Sequence, residues 1–223
     1  MTVTTEQGAW IAPPHWSIWV PAEITHEIAL HGRCCLSILF FCDRLKNRLP
    51  AECAVVPVSP LLCELLLSTI ETGMLDERDE THLAMVRLIA SEISRRDIAP
   101  LKLPAPASAA TENAANLLNN GKGRTNVATV ACQVGLSTRA LERRFVSETG
   151  MTPGSWARAA RFHDALRQLA AGQSVKAAAQ IAGYRTPSAF VAAFRQAFGT
   201  TPARYFGPTE DASGNQESVR SYG

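Results

Sequence analysis

Two stretches of the chain are punctuated alike. "FVSETGMTP" and "FRQAFGTTP" both read Phe, four residues, Gly, two residues, Pro, which places Phe145, Gly150 and Pro153 against Phe194, Gly199 and Pro202, 49 residues apart. Upstream the correspondence continues at an offset of 48, with Val127 over Val175, Ala131 over Ala179 and Gly135 over Gly183. One additional residue in the second copy accounts for the change of offset. Self-similarity at a fixed period marks a duplicated supersecondary unit and restricts the fold more than any other feature of the chain. Each copy reads as a short helix, a tight turn at Gly, a second helix, a Gly stop and a Pro.

The residue types suit that reading. A small side chain four positions before the turn Gly lets two helices cross closely, and Gly supplies the backbone conformation of a three- or four-residue turn. Ser137 is placed to cap the second helix of copy one, as Thr186 is in copy two, with Pro187 at the first helical position. Leu141 and Phe145, then Phe190 and Phe194, sit four apart and face a core. Gly150 and Gly199 can end these helices in the left-handed conformation. Between the copies, "GSWARAARFHDALRQLAAG" predicts a long helix with Trp156, Ala160, Leu166 and Leu169 near one side, holding two helix-turn-helix units at a fixed separation. Recognition helices so held can enter successive major grooves on one face of DNA, about 34 Å apart. The alternative is an Ala-rich helical repeat for protein binding. Its period departs from that of the usual helical arrays, and two copies seldom make a stable one.

Charge separates the chain. Residues 1–110 carry 9 Lys and Arg against 13 Asp and Glu, whereas residues 111–206 carry 12 against 4, a net of +8, so a basic module stands behind an acidic one. Segregated positive charge is the footprint of a phosphate-backbone binder. The 6 Cys show no CxxC pair and no matching His spacing, which predicts reduced, mostly buried thiols and neither zinc nor disulfides. No leader and no membrane-spanning apolar run is present, so the expected location is the cytoplasm.

Ahead of the basic module, "WSIWVP" and "CCLSILFF" predict strands joined through the turn-containing "PAEITHE". A helix follows Ser59 and Pro60 and ends at Gly73, and a second covers about 77–96. "APLKLPAPASAAT" reads as a Pro/Ala linker, and "GPTEDASGNQESVRSYG" as a disordered tail. Leu61 to Leu67 could serve dimerisation or pack on the strands.

Residues 127–206 resemble the DNA-binding domain of the AraC/XylS family of bacterial transcription regulators, most specifically in "GYRTPSAFVAAFRQAFGTTP", Gly183 to Pro202. The front is similar to the last part of a cupin-type jelly roll. Pro21 and His26 match its second motif, with Glu23 where that motif carries Gly. The upstream strands and His-x-His motif are missing, which implies a truncated sensory domain. The expected fold class is therefore α+β and multidomain, a partial cupin-like jelly roll and linker helices followed by an all-α domain. The boundaries are 1–58 for the sensory part, 59–98 for linker or dimerisation helices, 99–112 for a linker, 113–206 for the DNA-binding domain and 207–223 for the tail.

The resemblance implies that Arg139, Glu142 and Arg143 meet base edges. Helical geometry agrees, because 139, 142, 143 and 146 share one face, opposite Leu141 and Phe145. Arg can donate two bonds to guanine, and Glu can accept from cytosine. The matching face of copy two offers Pro187, Ser188, Val191 and Ala192, followed by Arg195. That face is poor in hydrogen-bonding groups, so copy one should dominate sequence reading. Phosphate-contact candidates are Lys122, Arg124, Arg144, Arg185, Arg195 and Arg204. The implied partners are double-stranded DNA, RNA polymerase, a second copy of the chain and a small-molecule effector, for an activator without catalysis, cofactor or metal. Two other readings stay open: a constitutive or partner-dependent regulator without effector control, and a cupin-type metalloenzyme. The last needs a facial set of His and carboxylate ligands that the sequence does not spell. His15, His26 and His31 are expected in structural or exposed roles.

Overall fold

The computed structural model describes residues 1–32, 36–76, 78–94, 101–121 and 125–206. The chain opens on a hairpin of β1 (Thr2–Thr5) and β2 (Gly8–Ile11), followed by β3 (Trp16–Trp19) and β4 (Glu27–Ala29). After a 3-10 turn at Asp43–Arg48 come β5 (Ala54–Pro57), α1 (Pro60–Thr72) and α2 (Glu80–Ser94). Then β6 (Lys102–Pro104) joins β2, completing an antiparallel four-stranded sheet in the order β4-β1-β2-β6. The strands β3 and β5 form a separate antiparallel pair.

Several expectations change here. Strand structure was expected over 34–41, but residues 36–41 form no strand, and Cys34 and Cys35 lie outside the described residues. Residues 36–40 are largely exposed, Phe40 at 92%, so no burial holds them against a neighbour. The hairpin at residues 2–11 was not anticipated at all. Linker composition was read over 99–112, yet Lys102–Pro104 pairs with Gly8, Ala9 and Trp10, and α3 (Ala109–Asn120) already begins inside that stretch. Pro104 is tolerated because β6 is an edge strand. Among the described residues the thiols are not mostly buried: Cys42, Cys63 and Cys132 are exposed, and Cys53 is buried. The tail 207–223 lies outside the described residues.

At the second cupin-like motif, Glu23 occupies the left-handed region at φ 67, the conformation for which the motif's Gly is suited. His26 turns inward on its own segment, Nδ1 lying 2.8 Å from the Ile24 carbonyl, and His31 Nε2 lies 2.9 Å from Thr2 Oγ1. Among the described residues, no group of three His, Cys, Asp or Glu is arranged to hold a metal ion, and no helix is long and apolar enough to cross a membrane. Leu62, with Leu65 and Leu66 beside it, packs α1 on Val56 of β5 and on Ile89 and Ile93 of α2, while Leu61 and Leu67 stay exposed.

The basic half is helical: α4 (Val127–Gln133), α5 (Thr138–Thr149), α6 (Pro153–Ala170), α7 (Val175–Ile181), α8 (Pro187–Phe198) and a last turn, α9 (Pro202–Phe206). The helix α6 belongs to two cores. Its first half supplies Trp156, Ala157 and Ala160 to a cluster with Val130, Ala131, Leu141 and Phe145, closed by Ala114, Ala115 and Leu118 of α3. Its second half supplies Ala165, Leu166 and Leu169 to a cluster with Ala178, Ala179, Phe190 and Phe194. Ile11 of β2 and Leu101, just before β6, complete that second core. The N-terminal strands are thus packed on the second helical unit, a relation no sequence feature announced.

Candidate DNA interface

The two copies are built with the same bonds. In copy one, the backbone N–H of Gly135 reaches the Cys132 carbonyl at 3.1 Å and that of Leu136 reaches Ala131 at 2.9 Å. In copy two, Gly183 reaches Gln180 at 3.1 Å and Tyr184 reaches Ala179 at 2.9 Å. Both turn glycines are left-handed, at φ 71 and φ 80, a region that a Cβ makes costly. The extra residue of copy two lies in this turn, which runs over 182–186 where copy one needs only 134–137.

Capping then fixes the direction of each recognition helix. Ser137 Oγ accepts from the Ala140 N–H and Thr186 Oγ1 from the Ala189 N–H, both at 3.2 Å. Gly150 and Gly199 close the helices in the left-handed conformation, at φ 70 and φ 73. Leu141, Phe145, Phe190 and Phe194 are fully buried. Anchoring those side chains leaves the opposite faces of α5 and α8 to solvent.

On α5 the open face carries Arg139, Glu142, Arg143, Arg144 and Val146, all exposed. On α8 it carries Pro187, Ser188, Ala192 and Arg195, exposed, with Val191 half-buried. Arg185, in the turn before α8, and Arg204, on α9, are also exposed. Lys122 and Arg124 lie outside the described residues. The two faces therefore differ in chemistry: three guanidiniums and a carboxylate on one, a hydroxyl, methyl groups and one guanidinium on the other.

Glu148 lies on the side of α5 opposite Arg139, turned toward the start of α3, and was not singled out by its sequence context. Its carboxylate accepts the backbone N–H groups of Ala107 at 2.8 Å and Ser108 at 3.0 Å, the Ser108 hydroxyl at 2.7 Å and the Thr111 hydroxyl. A recognition helix thereby caps the start of α3 with a negative charge, where the helix dipole favours one. Burial alone would raise this carboxyl, but the bonds from Thr111, Ser108 and Ala107 hold it at about 2. Arg161 of α6 lies under the second turn, its Nε buried and 3.2 Å from where a Cβ on Gly183 would stand.

Residues 114–207 match the model of a helix-turn-helix domain family. These residues are an AraC-type helix-turn-helix domain. The chain carrying it is a DNA-binding transcription regulator of the AraC type. Across more of its length it is similar to the HTH-type transcriptional regulator NimR of Escherichia coli (strain K12), 25% identical over 208 residues, covering 92% of this chain and 75% of NimR. The HTH-type transcriptional regulator RipA of Corynebacterium glutamicum is 33% identical over 103 residues, covering 46% of this chain and 31% of RipA. Among solved structures, the AraC-type domain resembles the DNA-binding domain of AdpA, a global transcriptional factor captured with a target DNA. The identity is 34%, over 44% of this chain and 88% of that one, with a TM-score of 0.38.

Proposed function

We propose that the chain reads its operator chiefly through α5, with α8 gripping the backbone beside it. The observation that carries this reading is the chemical difference between two recognition faces built on the same turn. Arg139, Glu142 and Arg143 can make the hydrogen bonds that distinguish base pairs in the major groove. Ser188, Val191 and Ala192 can offer a hydroxyl and methyl contacts, while Arg144, Arg185 and Arg195 fit phosphate, which positions without specifying. Lys122 and Arg124 join that phosphate set on charge alone.

In this reading, residues 113–206 are the DNA-binding domain, 59–98 link and dimerise, and 1–58 are a cupin-like sensory part. The protein works by binding, in the cytoplasm, and not by catalysis. RNA polymerase, a second copy and a small-molecule effector are its further partners. The strands packed on the second core are the route by which an effector signal would reach DNA. A regulator with constitutive or partner-dependent binding and no effector control is the second reading, favoured by described strands that form a four-stranded sheet and a separate pair.

Selection of bound sequences from random duplex DNA with the full chain, followed by salt titration of the winner, tests the proposal. The expected motif is informative over one half and loose about one helical turn away. Affinity should fall steeply with salt through counterion release. Enrichment of nothing, with only salt-sensitive background, overturns it.

A further inference from the structure

Among the described residues from 109 to 206, one large hydrophobic side chain stands exposed: Val146, at 46%. It lies outside the core that holds Leu141 and Phe145, so its side chain has no evident part in folding the unit. Valine is also a poorer helix former than the charged residues that usually occupy such a surface. At 100° per residue, Val146 falls in the middle of the arc defined by Arg139, Glu142 and Arg143, and about 4.5 Å along the axis from Arg143.

Glu142 and Arg143 stand one turn before this apolar spot, with Arg139 a further turn back, on the surface read above as facing DNA. In the major groove the one apolar group on a base edge is the C5-methyl of thymine. We propose that Val146 is a base-reading residue whose methyl groups pack on a thymine methyl, next to the base pair met by Arg143. The inference rests on the reading of α5 as the recognition helix. It adds a hydrophobic position to a face otherwise made of hydrogen-bonding groups. Two methyl surfaces removed from water together select T over C, because cytosine presents a hydrogen and an amino group where thymine presents the methyl and a carbonyl.

The test uses the full-length protein and Val146→Ala, each subjected to selection from random duplex DNA. The wild-type winner is then made with single deoxyuridine replacements at every thymine, which removes only the methyl group. The expected result is one thymine, beside the base pair whose preference depends on Arg143, where deoxyuridine weakens wild-type binding about fourfold, the worth of one buried methyl. Val146→Ala should bind the two duplexes equally and lose its preference for T at that position alone. Val146→Thr, which keeps one methyl, should fall between. If wild type and Val146→Ala share one consensus and respond alike to every deoxyuridine, Val146 faces a protein partner instead and the inference fails, while the function reading survives. A full-length chain that enriches no sequence loses both.

Discussion

The Tyr205 hydroxyl donates to the Pro14 carbonyl at 2.7 Å, joining positions 191 residues apart. Around it, His15 meets the Tyr205 ring edge-on at 6.3 Å and Trp16 meets Phe198 at 6.4 Å. Burial pushes the Tyr205 phenol above its ordinary range. The last turn of the second helix-turn-helix unit is thereby fastened to the first strands of the chain. Tyr205→Phe removes the bond but keeps the ring. It should cost about 0.5–1.5 kcal/mol in urea unfolding, and faster hydrogen exchange should appear at both residues 10–19 and 199–206. Exchange confined to one side would show that the two regions open independently.

The turn glycines should not be equivalent. Gly135→Ala meets open space, so its cost is that of the left-handed backbone, about 1–2 kcal/mol. Gly183→Ala carries the same strain and also crowds Arg161 at 3.2 Å. Thermal unfolding should therefore place Gly183→Ala below Gly135→Ala. The reverse order would mean that Arg161 yields freely.

Glu148 gives a pH signature. Its folded value, about 2, lies below the ordinary 4.5, so the stabilisation it gives is full above pH 4.5 and is lost as pH falls toward 2. Glu148→Gln should be less stable than wild type at pH 7. The gap should narrow below pH 4.5 and close near pH 2 in a series of denaturant titrations. A gap that stays constant with pH would assign the loss to altered packing.

Glu23 is strained at φ 67 on an exposed turn. Glu23→Gly should raise stability by up to about 1 kcal/mol, the relief of strain less the entropy that Gly loses on folding. Unchanged or reduced stability in urea would show that the turn relaxes without help.

Arg143 and Arg195 should fail in different ways. Arg143→Ala should cost about 1–3 kcal/mol against the selected operator and relax preference at one base pair. Arg195→Ala should weaken all duplexes alike and reduce the salt slope by about one. Equal behaviour of the two variants would remove the proposed division between α5 and α8.

The helical half was legible because its signals are local. Ser137, Gly150, Thr186 and Gly199 cap or stop helices within four residues of where they act, and the duplication let each copy check the other. The open face of α5 followed from placing Leu141 and Phe145 inside. The front was less legible, since strand pairing depends on partners far away in sequence. Lys102–Pro104 reads as linker by composition and becomes a strand only because Gly8–Trp10 offers it an edge. "CCLSILFF" has strand composition, but residues 36–41 join no sheet, and Phe41 packs on Trp19 instead. Glu148 was missed for the same reason, because its four donors come from a segment about 40 residues earlier.

Because α6 gives its first half to one core and its second half to the other, it sets phase as well as distance. Removing a single residue from it would swing α8 by about 100° around the helix axis relative to α5, turning one recognition helix away from the side of the duplex that the other reads. A whole-turn change would restore the angle but take side chains from Trp156–Ala160 or Ala165–Leu169, each already committed to a core. Operator spacing is thus written into the helix in indivisible steps, and a regulator built this way can change its half-site sequences far more easily than the interval between them.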